Sequence, residues 1–232
     1  MSVYVTGDTH SYIDVGKITT KMWPESKNFT ENDFLIICGD FGFIWDNSKT
    51  DKAWLKWFQE KPFITLFCDG NHENFDLIYR YPVVDYLGGK VHKINEHLYH
   101  LMRGEVYTIQ GKKFFVMGGA TSIDKHLRED RISWWKEELP SEDEYANALK
   151  NLENNRNKVD YIISHCAPSS IVDKLSFGYY NHDDLTNWFE CKIKDNVEFS
   201  QWYFGHYHVD KVYKVDGEDK FFALYQEVVK LL

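Results

Sequence analysis

The chain has 232 residues, 43% of them hydrophobic and 27% charged, which fits a single globular domain over 1–232 and excludes a disordered or fibrous chain. Its formal charge of −9 does not offer the basic face that nucleic-acid binding ordinarily needs. No apolar run reaches the roughly eighteen residues of a membrane span, and the opening Met1-Ser2-Val3-Tyr4-Val5-Thr6 lacks the basic start and long apolar core of a signal peptide.

Taken in chain order, residues 2–6, 33–38, 62–68 and 159–164 are short, continuous apolar runs. Such runs predict central strands covered on both faces. Residues 50–60 carry Trp54, Leu55, Trp57 and Phe58 among charged residues and predict an amphipathic helix. Residues 98–101, 105–109 and 113–117 predict short strands, with Gly104 and Gln110-Gly111-Lys112 as turns. Ser141 with Glu144 three residues on is a capping-box pattern, opening a helix through Tyr145, Ala148, Leu149 and Leu152. Residues 181–193 predict another helix. Residues 201–204, 211–215 and 220–225 predict strands, with Asp216-Gly217 as a hairpin turn. The first half thus reads βαβ and the later parts as antiparallel meanders, giving a mixed α/β domain with two packed sheets and outer helices. Cys38, Cys68, Cys166 and Cys191 have no zinc-type spacing and read as free thiols of a cytoplasmic protein.

The chemistry follows the strands. The first apolar run ends in Gly7-Asp8-Thr9-His10, the second in Gly39-Asp40, the third in Asp69-Gly70-Asn71-His72-Glu73. The run at 159–164 ends in His165, and Tyr203-Phe204 runs into Gly205-His206-Tyr207-His208. Ligands of α/β sheets collect at the carboxyl ends of strands, and glycines there allow sharp turns and close approach. Carboxylate, carboxamide and imidazole together suit Mn²⁺, Fe or Zn²⁺ better than a thiolate-bound ion. In an extended segment, Asp8-x-His10 and His206-x-His208 would each put two side chains on one side. Singly these are common turn and surface residues. Together they are not, since Gly-Asn-His-Glu alone arises by chance in roughly one window per 10⁵.

The ordered set Asp8-x-His10, Gly39-Asp40, Gly70-Asn71-His72-Glu73, His165 and Gly205-His206-x-His208 resembles the calcineurin-like metallophosphoesterase superfamily. The resemblance implies a four-layer α/β sandwich of two packed mixed sheets flanked by helices, with two divalent metal ions, Mn²⁺ first among the candidates. It implies that Asp8, His10 and His208 hold one metal, that Asn71, His165 and His206 hold the other, and that Asp40 bridges them. His72 would be the catalytic imidazole beside the substrate. The expected reaction is hydrolysis of a phosphate mono- or diester by hydroxide held between the metals. A small-molecule or nucleotide substrate leads. A nuclease is the alternative, and a non-catalytic module with the same fold comes third.

The chain departs from the Ser/Thr protein phosphatase branch. There the Gly-Asp motif continues into an Asp that orients the catalytic His and an Arg that grips phosphate. Here Phe43 and Ile44 stand in those places, so His72 takes another orienting partner, Asp46 or Asp69, or does without one. The loop from Gly118 to Arg128 resembles a signature of small bacterial and phage-type members. It offers Arg128, with Lys125 and Arg131, as a substitute phosphate grip, and Trp134 and Trp135 as a platform for a base. The rival role for Arg128 is a surface pair with Glu129 or Asp130.

Overall fold

Strands β1 (Val3–Thr6), β2 (Phe34–Cys38) and β3 (Ile64–Cys68) are buried at every position. Period-two alternation sends their side chains into two different apolar clusters. Phe34, Ile36 and Cys38 join one, and Leu35 and Ile37 join the other. The computed structural model, describing residues 1–176 and 180–232, shows why runs this short need no polar face.

The remaining strands are β4 (Val83–Tyr86), β5 (Gly89–Asn95), β6 (Leu98–Leu101), β7 (Glu105–Ile109), β8 (Lys112–Met117), β9 (Tyr161–Ser164), β10 (Gln201–Phe204), β11 (Lys211–Val215), β12 (Glu218–Ala223) and β13 (Val228–Lys230). They form a seven-stranded sheet in the order β13-β1-β2-β3-β6-β5-β4 and a six-stranded sheet in the order β11-β12-β10-β9-β8-β7. Both sheets are mixed. One apolar cluster lies between them, joining Ile36 and Leu66 to Val116 and Ile163. A second packs Phe67 and Leu35 against Phe58 of helix α1 (Lys49–Gln59). After the one-turn helix α2 (Phe75–Ile78), helix α3 (Glu142–Asn154) joins the third cluster. There Ala148 and Leu152 meet Trp202 and Phe204, alongside Val172 of α4 (Ser169–Ser176) and Leu185 of α5 (Asp184–Trp188). Three apolar layers between four structural layers give the expected sandwich. No helix among the described residues is long and apolar enough to cross a membrane.

The Ser141–Glu144 capping box forms as expected. The helix predicted over 181–193 begins later, at Asp184, with Asp183 as its N-cap, and continues as a π-turn over Phe189–Lys194. The later meander is the main correction. β11 and β12 form the Asp216-Gly217 hairpin, but β12 lies parallel to β10, and β9 is parallel to both β8 and β10. The reason is local. After β10 the chain spends residues 205–210 on a loop instead of a tight turn, so β11 lands at the sheet edge and β12 returns beside β10.

Candidate metal centre

β1, β2 and β3 are parallel neighbours in one sheet, and β9 and β10 are parallel neighbours in the other. Their carboxyl ends deliver Asp8 and His10, Asp40, Asn71 and His72, His165, and His206 and His208 to one place. The glycines make the approach possible. A Cβ on Gly70 would lie 2.1 Å from Asp40 Oδ1, one on Gly205 2.0 Å from Asp8 Oδ1, and one on Gly39 2.2 Å from His165 Nδ1. Any side chain there would occupy the space of a site residue.

Asp40 is the hub. Its Oδ2 lies 3.1 Å from His10 Nε2, and its Oδ1 lies 3.3 Å from His165 Nε2 and accepts from His72 N at 2.8 Å. Asp8 Oδ2 is 3.2 Å from His208 Nε2, and its carboxylate accepts from His206 N at 2.9 and 3.1 Å. Asn71 Oδ1 is 3.2 Å from His165 Nε2. The donor atoms of Asp8, His10 and His208 lie within 4.8 Å of one another, and so do those of His10, Asp40 and His72. His206 is less central, its ring lying edge-on to His165 with centroids 4.9 Å apart.

The alternate-residue reading of the two Asp/His-x-His motifs fails. His10, His206 and His208 have φ of 40°, 69° and 51°, and Asp40 has 47°. These are left-handed turn conformations that cost non-glycine residues energy and cluster at functional sites. Asp8 and His10 meet because the chain turns between them. His208 reaches Asp8 while the His206 ring goes to His165.

The residues fit a metal. Asp8 and Asp40 are 0% and 1% exposed, and among the described residues only histidines pair with their carboxylates. Burial disfavours charge on these imidazoles, yet the two carboxylates outweigh it, raising His10 to about 9 and His165 to about 10. The cluster therefore favours positive charge beside Asp8 and Asp40. The outer hydrogen bonds fix the direction. His165 Nδ1–H donates to Cys38 O at 2.8 Å, and His10 Nδ1–H donates to Asp14 Oδ2 at 2.8 Å. Both bonds leave Nε2 facing inward, the orientation that outer partners impose on metal-binding imidazoles. Asn71 is fixed similarly. Ser122 Oγ–H donates to Glu138 Oε2 at 2.7 Å and accepts from Asn71 Nδ2 at 3.2 Å, so Asn71 Oδ1 points at the site.

Among the described residues, no carboxylate is hydrogen-bonded to the His72 ring. Asp69 is buried in an ion pair with Arg103 and is 3.1 Å from His100 Nε2, while Asp46 accepts from Ser48 N. Both expected orienting partners are thus engaged elsewhere. The partner is Arg128, whose Nη2 lies 3.0 and 3.2 Å from the two ring nitrogens. Burial, with Arg128 and His10 adding to it, lowers the His72 pKa despite Asp40. Arg128 Nε donates to Asp124 Oδ1 at 2.7 Å and Nη1 to Ser133 O at 3.2 Å, so the pair with Glu129 or Asp130 gives way to Asp124. Arg131 is bound to Asp76 at the surface, and the Lys125 ammonium sits over Trp134. Trp135 is 2% exposed, with Nε1 donating to Asp76, and cannot serve as an open platform.

Sequence reasoning missed Asp14, Ser122, Glu138 and Glu73, which act at one remove. Glu73 is fully buried and accepts from Phe41 N at 2.7 Å and Gly42 N at 3.3 Å, holding the turn after Asp40. Burial, with Asp40 nearby, pushes its carboxyl up to about 8. Its place in Gly-Asn-His-Glu was the only signal available.

The calcineurin-like phosphoesterase family model matches residues 1–210. Comparison with curated proteins gives no match. Among solved structures, a phosphopantetheinyl hydrolase from Mycobacterium tuberculosis is similar over 97% of this chain and 89% of its own, with 14% identity and a TM-score of 0.45. Since the matched span contains every motif from Asp8 to His208, the chain belongs to the calcineurin-like phosphoesterase family, metal-dependent hydrolases of phosphoester bonds.

Proposed function

We propose that this phosphoesterase acts on a small phosphoester, a mono- or diester of a small molecule or nucleotide, using two divalent cations, Mn²⁺ foremost. The observation that carries the reading is Asp40, whose two oxygens face His10 on one side and His165 on the other. A carboxylate so placed suits a bridge between two cations, one with Asp8, His10 and His208 and one with Asn71, His165 and His206. Bound cations would make water nucleophilic at neutral pH and offset charge on the phosphoryl oxygens.

The chain's own residues do the rest. Asp14 and the Cys38 carbonyl hold two imidazoles in the inward-facing tautomer. His72, pinned by its backbone to Asp40, would give a hydrogen bond to a phosphoryl oxygen or a proton to the leaving alkoxide. Arg128 lines a cavity of about 330 Å³ together with Asp40, Asn71, His72 and His208, where a guanidinium would grip phosphate oxygens. The charge of −9 favours a small substrate over nucleic acid. Three buried free cysteines suit a cytoplasmic protein.

The test is hydrolysis of an aryl phosphate. Turnover is expected to vanish on chelation and return with Mn²⁺. Full turnover by protein verified to be metal-free would defeat the reading.

Arg128→Lys probes the phosphate grip. The guanidinium reaches Asp124, Ser133 and His72 at once, a fork that an ammonium cannot reproduce. The expected loss in kcat/KM is roughly tenfold or more, about 1.4 kcal/mol, with metal content unchanged. Wild-type kinetics would reduce Arg128 to a structural pair with Asp124.

A further inference from the structure

Two cavities meet at His72. One is the Arg128 cavity. The other, about 500 Å³, runs from His10 and His72 to Tyr12, Ile13, Trp45 and Asp46. That volume falls within the roughly 300–1,000 Å³ of small-molecule sites, and the phosphoryl chemistry above makes no use of it.

Both cavities have isoleucine, tyrosine and aspartate in their walls, Ile123, Tyr180 and Asp124 on the Arg128 side, but this one adds Trp45 and carries no arginine. Tyr12 and Ile13 are 69% and 70% exposed, although both are large and apolar and stand next to His10. The left-handed turn at His10 and Ser11, tied by Ser11 N to Phe41 O at 3.1 Å, precedes them. Trp45 is anchored. Its backbone N donates to Asp51 Oδ2 at 2.8 Å, its carbonyl accepts from Asn74 Nδ2 at 2.6 Å, and its ring meets Trp135 edge-on at 5.6 Å. Asp51 Oδ2 is already taken by the backbone N–H groups of Trp45, Asp46 and Asn47. Asp46 is exposed and accepts from the backbone N–H of nearby Ser48. No lysine or arginine lines this cavity among the described residues.

We propose that this second cavity seats the leaving group, and that it selects a ring-bearing alcohol without negative charge. The inference rests on the phosphoesterase reading and deepens it by naming the substrate class. The phosphoryl group, as an anion, belongs on the Arg128 side. The remainder of the ester then lies against Tyr12, Ile13 and Trp45, where aromatic and aliphatic faces bury a ring at low entropic cost. A second phosphate or a carboxylate on that part would face Asp46 with no cation to pair it, a like-charge arrangement that rejects such ligands. A short alkyl group would leave the apolar walls wet.

Phosphonates test this without depending on turnover. Calorimetric titration of the Mn²⁺-loaded protein would compare methylphosphonate, phenylphosphonate and 3-carboxyphenylphosphonate. Phenylphosphonate is expected to bind about tenfold or more tighter than either of the others. Trp45→Ala, and Tyr12→Ala at an exposed position, should each weaken phenylphosphonate about fivefold or more and leave methylphosphonate unchanged. Asp46→Lys should remove or reverse the discrimination against the carboxylate. Equal binding of methyl- and phenylphosphonate, or discrimination that survives all three substitutions, would overturn the leaving-group assignment while aryl phosphate hydrolysis stands. Absence of both phosphonate binding and hydrolysis would instead remove the phosphoesterase reading, and this inference with it.

Discussion

Asp40→Asn is expected to weaken both metals together and to lower turnover on the order of 10³-fold, about 4 kcal/mol of barrier. The substitution is nearly isosteric, so packing changes little. Its chemistry changes at the hub. In the native side chain Oδ1 serves His72 N and His165 Nε2 while Oδ2 faces His10 Nε2. A carboxamide presents one oxygen and one NH₂, so at least one of these inward-facing groups meets a donor instead of an acceptor. It also removes one of two buried negative charges that attract cations to the site. Metal content measured across a Mn²⁺ titration checks this. Loss of one equivalent with the other held at wild-type affinity would show that Asp40 belongs to a single metal.

His72→Ala should behave in the opposite way, keeping both metals and losing on the order of 10²–10⁴ in turnover. The geometry leaves a clear rival. The donor atoms of His10, Asp40 and His72 lie within 4.8 Å of one another, so His72 is close enough to be a ligand. Two observations favour the catalytic role. Its ring nitrogens both face the Arg128 guanidinium, a cation that would compete with a metal for the same lone pair. Its tie to Asp40 runs through the backbone N–H, which positions the ring without committing it. A variant that loses one metal equivalent would make His72 a ligand and leave the proton-transfer role vacant.

The sequence made the strand-end constellation legible because each motif follows an apolar run that could only be a central strand. The two-cluster alternation of Phe34 to Cys38 confirms that logic. What stayed hidden had no local signature. β4 and β5 join through Leu87-Gly88, where Leu87 has φ 57°, and leucine is not a residue that announces a left-handed turn. β13 has three residues and exists only by pairing with β1. The β10–β12 parallel pairing depends on the length of the loop that carries His206 and His208. At the site, Asp14, Ser122 and Glu138 lie 4 to 51 residues from the side chains they contact, and their types are ordinary for loops. Arg128 stood out by contrast, as a basic residue in a polar loop of an acidic chain. Its contact with His72 is long-range in sequence and had no pattern to reveal it.

The most direct test of two-metal phosphoester chemistry is anomalous diffraction at the manganese edge from crystals of the Mn²⁺-loaded protein. Two peaks flanking the Asp40 carboxylate, one beside Asp8, His10 and His208 and one beside Asn71, His165 and His206, are predicted. A single peak, or manganese only at surface carboxylates with this cluster empty at saturating Mn²⁺, would contradict it.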